Sequence, residues 1–404
     1  MLTSVNIKDF RSCKDVELEG LGPIAALVGR NGAGKTTILR AIEWMAHAAL
    51  LTEGALWAAN ELDDAGDLAG PMVEVNLRCG EFAYSYGIDR KLFRDDGYSG
   101  LVSDGEMLLV RYPGAPDDEW TRLCGRDDDS VDLADRGQKI EVNRSTSMMP
   151  ALVSLLPEDD PLQVHLRRVI DVLRGVRYYL GHGIIERANS LQGDSAGPIR
   201  KDFYERWAAE NERPGNDDLS LLLRIIHAHQ NAPETFAELK SRLGSEGLGV
   251  IRDIRVNVLG DMAETVRRRR SRYYEVVFVP MSHDVELSLG QLSRGTQQML
   301  YLMLALLLDK NSTMLVEQPE DGIHPALLVK LIDLLRVNAD PTQVILASHS
   351  PTVLSQLQPA DVRLVEMVDG ATRVRALTQA EVTRAQEYMQ RDGSLAEFLE
   401  LIQD

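Results

Sequence analysis

The stretch VGRNGAGKTT, residues 28 to 37, limits what this chain can fold into more than any other. Gly29, four intervening residues and then Gly34-Lys35-Thr36 give the spacing of a phosphate-binding loop. Glycines let such a loop curl until successive backbone N–H groups point inward, where they meet phosphate oxygens. The preceding IAALV, 24 to 28, is a short, wholly apolar run of the kind a buried parallel strand uses. The following KTTILRAIEWMAHAAL has helical spacing at Ile38, Ile42 and Met45. Strand, glycine turn and helix in that order predict an α/β fold with a nucleotide's phosphates at a helix N-terminus. Lys35 then reaches the β- and γ-phosphates and Thr36 offers its hydroxyl to Mg2+, while Gly29, Arg30, Asn31, Gly32, Ala33, Gly34 and Thr37 complete the cradle.

Three later blocks keep a fixed order. Leu292-Ser293-Arg294-Gly295-Thr296-Gln297-Gln298 opens a helical stretch, with Ser293 well suited to cap it. Glu317 stands at the end of the apolar strand Met314-Leu315-Val316, inside STMLVEQPEDGIHP. QVILASHSP is a further apolar strand that ends in His349.

The remaining chain is read from composition and pattern. Its 404 residues suggest two domains, or one domain with a large insertion, and 44% hydrophobic with 26% charged residues fits a globular protein with a proper core. A net charge of −18 argues against a broad nucleic-acid-coating surface. Cys13, Cys79 and Cys124 form no CxxC pair, so neither a disulfide scaffold nor a zinc site is expected. No signal-peptide core appears, and the longest apolar run, Met299 to Leu308, is too short to span a bilayer. A cytoplasmic protein without a membrane partner is the expectation. Residues 72 to 112 read as strands of a small antiparallel sheet, and the acidic residues 113 to 160 as solvated loops. A compact helical insertion follows over 161 to 245, strands near 250 to 257 and 273 to 288, and then alternating β and α to the end. The expected divisions are 1–112, 113–245 and 246–404.

The opening VNIKDFRSCKDVELEGLGPIAALVGRNGAGKTTILRAIEW, the order of the four blocks and PEDGIHP together resemble the SMC/RecF/OLD-like group of ABC-type ATPases. The specific motifs cover about residues 1 to 50 and 285 to 365. The resemblance implies a P-loop NTPase head of ABC type, with an antiparallel β subdomain and a helical insertion. It implies that two heads sandwich two ATP molecules head to tail, in a homodimer or higher even oligomer. Gly29 to Thr37 of one copy would face Ser293 and Gly295 of the other. Glu317 takes the Mg2+-ligating place, and His349 contacts the γ-phosphate and holds the attacking water. Phe10 and Arg11 are transferred to the nucleotide base and Gln192 to the glutamine that links nucleotide and insertion.

The departure is Gln318, which occupies the place of the glutamate that polarises water. An amide accepts no proton at neutral pH, and general-base help of this kind contributes about 10²–10⁴-fold. Three readings stay open: a native EQPE branch with slow hydrolysis, aided by Glu320 or His349; a substitution introduced to trap ATP-bound dimers; or a binding switch that hardly turns over. Catalytic candidates are therefore Lys35, Glu317, Gln318 and His349.

The resemblance also implies a partner in trans. Members of the OLD branch carry a nuclease domain after the head, whereas residues 350 to 404 here read as closing strands and a helix. The expectation is a sensor or scaffold ATPase for an effector protein, a nuclease or toxin, in anti-phage defence. A DNA-repair or chromosome-maintenance ATPase, a transporter subunit and an ATP-locked scaffold remain alternatives. Arg267 to Arg270 and Arg272, beside Tyr273 and Tyr274, keep nucleic-acid contact open.

Overall fold

The computed structural model describes residues 1–51, 71–95, 98–180, 198–210, 220–263, 270–309, 311–391 and 393–403. They fall into two compact units, one made of residues 1–178, 312–317 and 339–404, the other of 179–311 and 318–338. Gln192 and Arg267 to Arg269 lie outside the described residues.

The first unit opens with the hairpin β1 (Leu2–Phe10) and β2 (Cys13–Leu18), in register from Val5 against Leu18 to Phe10 against Cys13. β3 (Ile24–Val28) is buried at all five residues, and α1 (Lys35–Ala48) starts after the glycine turn. β1 then pairs with β4 (Met72–Cys79), which starts a meander through β5 (Phe82–Asp95) and β6 (Tyr98–Arg111) to β7 (Thr121–Asp127), β8 (Ser130–Leu133) and β9 (Gln138–Glu141). The result is one eight-stranded antiparallel sheet in the order β2-β1-β4-β5-β6-β7-β8-β9.

This corrects the expectation of loops over 113 to 160. Cys124, Val131 and Leu133 are buried on one face of β7 and β8, and of the acidic cluster at 127–129 Asp127 ends β7 while Asp128 and Asp129 make the turn. Asp128 takes a left-handed φ of 53°, which aspartate tolerates better than most residues. The expected cut after 112 also falls between β6 and β7, neighbours in a single sheet.

Two helices follow in the same unit, α2 (Met148–Leu155) and α3 (Pro161–Arg174). α3 is capped by Asp160, which accepts from the Leu162 N–H, with Pro161 at the first helical position and Gly175 at its end. β10 (Val176–Leu180) begins directly after it.

The second sheet of this unit has the order β10-β14-β15-β3-β16-β17, where β14 is Thr313–Glu317, β15 Gln343–Ser348, β16 Val362–Val368 and β17 Ala371–Ala376. β14, β15, β3 and β16 run parallel, and β14 and β15 are buried throughout, as strands covered on both faces must be. Glu317 pairs with Ala347, and Ser348 with Val28, so three strands end level with one another. Ligands of open parallel sheets gather at such carboxyl ends. Among the described residues of the unit, three further helices follow, α9 (Pro351–Leu354), α10 (Gln379–Arg391) and α11 (Leu395–Gln403).

The second unit holds the antiparallel sheet β11-β13-β12, made of β11 (Ile199–Arg200), β12 (Ile251–Ala263) and β13 (Arg270–Pro280). Its described residues form the helices α4 (Lys201–Glu210), α5 (Ser220–Asn231), α6 (Pro233–Leu243), α7 (Arg294–Leu308) and α8 (Pro325–Val337). Its core includes fully buried Leu223, Ile225 and Ile226 of α5 and Leu300 and Leu304 of α7. No described helix is long and apolar enough to cross a membrane.

Candidate functional site

Two glycines of the loop are required by their neighbours. A Cβ on Gly29 would lie 2.0 Å from the Val365 carbonyl oxygen of β16. Gly34 has a φ of 105°, and a Cβ there would meet the Thr372 side chain. Gly32, at φ 80°, has no heavy atom within 4 Å of its missing Cβ, so the loop is open above it. Gly34 supplies no side-chain cap to α1, and no acidic residue occupies the first turn. The positive end of α1 therefore faces the loop without a built-in carboxylate.

Lys35 is 7% exposed, and its ammonium donates to the carbonyls of Gly29, at 2.7 Å, and Arg30, at 3.0 Å. A phosphate oxygen entering the loop would compete with these carbonyls for the same cation. Arg30, Asn31, Gly32 and Thr36 are exposed, while Ala33 is buried in the underside of the loop.

Thr36 donates its hydroxyl to Oε1 of Glu317, from a position 281 residues away in sequence. Tyr178, on β10, donates its hydroxyl to Oε2 of the same carboxylate. Burial and then the neighbouring Glu317 carboxylate push the Tyr178 phenol well above its ordinary range, so it stays a donor. The guanidinium of Arg40, from α1, lies 4.0 Å from the centroid of the Tyr178 ring. Sequence reasoning missed Tyr178. The only local signal was its place in the short strand VRYYL after Gly175.

The donor set suits a small hard cation. One hydroxyl and one carboxylate supply two oxygens, which matches the way Mg2+ is held through few protein ligands plus phosphate and water. No group of three or more His, Cys, Asp or Glu side chains that could hold a metal occurs among the described residues.

His349 is exposed at the end of β15 and shares a cleft of about 460 Å³ with Gly29, Arg30, Asn31, Leu354 and Leu399. A second cleft of about 480 Å³ lies between Arg30 to Ala33 and Val365 to Val368 of β16. The structure thus gathers Gly29 to Thr37, Glu317 and His349 in the first unit.

Ser293, Gly295 and Gln318 belong to the second unit. Ser293 caps α7, accepting from the Thr296 N–H at 3.2 Å. A Cβ on Gly295 would lie 2.3 Å from the Gly322 carbonyl oxygen, and Gln298 donates to the Pro319 carbonyl at 3.4 Å. The start of α7 is therefore packed onto the QPEDG turn, and that contact alone requires glycine at 295. Gln318 has a φ of 45°, a left-handed conformation unusual for glutamine.

One transferred role changes. Phe10 is fully buried against Trp44, with ring centroids 6.0 Å apart, so its ring cannot stack on a base. Arg11 follows it in the β1–β2 turn at φ 53°. Tyr274 is likewise buried, edge-on to Tyr204 at 5.4 Å, whereas Arg272 is exposed.

The chain is similar to several known proteins. Residues 156–355 match the family model described as "AAA domain, putative AbiEii toxin, Type IV TA system", and residues 4–49 match a model described as "AAA domain". The OLD nuclease of Thermus scotoductus is 26% identical over 370 residues, which cover 87% of this chain and 59% of the relative. The Old nuclease of Escherichia phage P2 is 21% identical over 379 residues, 89% of this chain and 58% of the relative. The chain spans less than two thirds of either relative. A solved SMC head, bound to the C-winged helix domain of ScpA, is 15% identical with a TM-score of 0.47, covering 95% of this chain and 99% of that one. The SMC head domain from Thermotoga maritima gives 15% and 0.40, covering 93% and 99%. Residues 156–355 and 4–49 thus carry AAA-domain matches, and over most of its length the chain is similar to OLD nucleases.

Proposed function

We propose that the chain binds ATP with Mg2+ in the Gly29–Thr37 cradle and that ATP brings two copies together head to tail. Ser293 and Gly295 of one copy then face the γ-phosphate held by the other. The assembled heads act as a sensor or scaffold for an effector protein, a nuclease or toxin, in anti-phage defence. One observation carries the nucleotide reading: Thr36 and Glu317, 281 residues apart, meet beside the phosphate loop, where Mg2+ and the terminal phosphates belong. The defence setting draws on relatives that are named nucleases and on a family description that names a toxin system.

Each residue has a part in this reading. Lys35 leaves the Gly29 and Arg30 carbonyls for the β- and γ-phosphate oxygens, and the N–H groups of the loop and of α1 hold the same anions. Thr36 and Glu317 would hold Mg2+, which would neutralise charge on the phosphates. His349, exposed and sharing a cleft with the loop, orients the attacking water near the γ-phosphate. Gln318 donates or accepts a hydrogen bond but takes no proton, so turnover is slow. That amide also favours a second reading, an ATP-locked scaffold in which assembly persists and hydrolysis is negligible.

The test is the solution mass of the full chain with and without ATP and Mg2+, beside the Lys35→Met variant. ATP should double the mass of the wild type and leave the variant unchanged. A mass indifferent to nucleotide in both proteins would sink the proposal.

A further inference from the structure

We infer that Tyr178 is the positioning residue for the metal-binding acid: its hydroxyl holds one oxygen of Glu317 so that the other stays turned to Thr36. This sets how much Mg2+ the site needs in order to bind nucleotide. The inference rests on the reading of Thr36 and Glu317 as the Mg2+ ligands.

The geometry divides the two oxygens of one carboxylate between two neighbours. Oε1 accepts from Thr36 at the start of α1, and Oε2 accepts from Tyr178 on the adjoining strand. The terminal torsion of a glutamate is ordinarily broad, so an unsupported carboxylate would sample many orientations. Here it is held from both sides. Tyr178 is itself fixed, being 6% exposed with Arg40 over its ring.

Mg2+ prefers few protein oxygens together with phosphate and water, so it would need a hydroxyl and a carboxylate oxygen side by side. Thr36 Oγ1 and Glu317 Oε1 are already neighbours, so the two would hold the cation together. Tyr178 donates to the far oxygen of the carboxylate and leaves Oε1 to Thr36. A hydroxyl that instead competed with the metal for Glu317 would have the opposite effect on the Mg2+ requirement. Outer partners of ligating side chains typically contribute about 10–100-fold in metal affinity.

The experiment uses the full chain and a fluorescent N-methylanthraniloyl ATP, titrated with Mg2+, and in parallel with Mn2+ followed by its EPR signal. Tyr178→Phe keeps the ring and removes the hydroxyl. It should raise the half-saturating Mg2+ concentration about 10-fold, with nucleotide affinity in EDTA unchanged. Arg40→Gln, which keeps the hydroxyl, should raise it by less. Mn2+ binding should weaken in step. An unchanged or lowered Mg2+ requirement in Tyr178→Phe overturns the inference, as does a larger effect in Arg40→Gln. If Glu317→Gln also leaves the requirement at the wild-type value, the ligand reading itself fails, and Tyr178 falls with it.

Discussion

Gly34 and Thr372 stand so close that a Cβ on the glycine would lie 2.0 Å from the threonine hydroxyl. Thr372 cannot simply swing away, because its hydroxyl meets that of Ser12 at 2.8 Å and its N–H donates to the Ser12 carbonyl. The phosphate loop is thus pinned to β17 and to the β1–β2 turn. Gly34→Ala should destabilise the chain by about 1–3 kcal/mol and abolish nucleotide binding, read by denaturant unfolding and by fluorescent ATP titration. Adding Thr372→Gly removes the contact but not the φ of 105°, so recovery should be partial. Wild-type affinity in Gly34→Ala would refute this.

Gln318 follows Glu317 directly and differs from glutamate by one amide group, so Gln318→Glu changes chemistry with little change in shape. If the side chain faces the attacking water, a carboxylate supplies the missing base. The single-turnover rate should then rise by about 10²-fold or more, with ATP affinity little altered. Single-turnover conditions remove product release from the measurement. An unchanged rate would take the base role away from this position and leave Glu320 or His349 as acceptors.

Arg224 of α5 is fully buried and pairs with Asp309, the residue that ends α7, which also accepts from Tyr179 at 2.9 Å. The Nε and Nη1 atoms of Arg224 are buried without a hydrogen-bond partner, so the pair is imperfectly satisfied. Removing one member leaves a buried charge uncompensated, a loss of about 3–5 kcal/mol. Asp309→Asn should therefore destabilise strongly, Arg224→Met should cost less, and the double variant should recover most of the loss. Additive losses in denaturant unfolding would contradict the coupling.

The phosphate loop was legible because its signals are local: glycine spacing, an apolar strand before it and helical periodicity after it. The meeting of Thr36 with Glu317 could be anticipated only through motif order, since no local pattern links residues 281 apart. Tyr178 had no motif to mark it, and its partner lies 139 residues away. Phe10 was misplaced because its burial depends on Trp44, on a different element. The acidic residues at 127 to 129 looked like loop because charge reports exposure, and the turn of a hairpin is as exposed as a loop. The four-residue alternation in β8 was too short to outweigh that signal.

His47, in the last turn of α1, gives the pH dependence. Burial, and next the positive charge of Arg177, lower its pKa to about 4, against about 6.5 in the unfolded chain. The unfolded state therefore binds a proton that the folded state refuses between those values. The His47 contribution is fully present above about pH 6.5 and is lost as pH falls toward 4. The slope reaches about 1.4 kcal/mol per pH unit within that window, after which the folded protein also takes up the proton and the dependence ends. His47→Gln removes the titration, so the wild-type and variant unfolding free energies should converge or cross as pH drops from 7 to 4.5. Parallel curves over that range would show that His47 is protonated alike in the folded and unfolded chains.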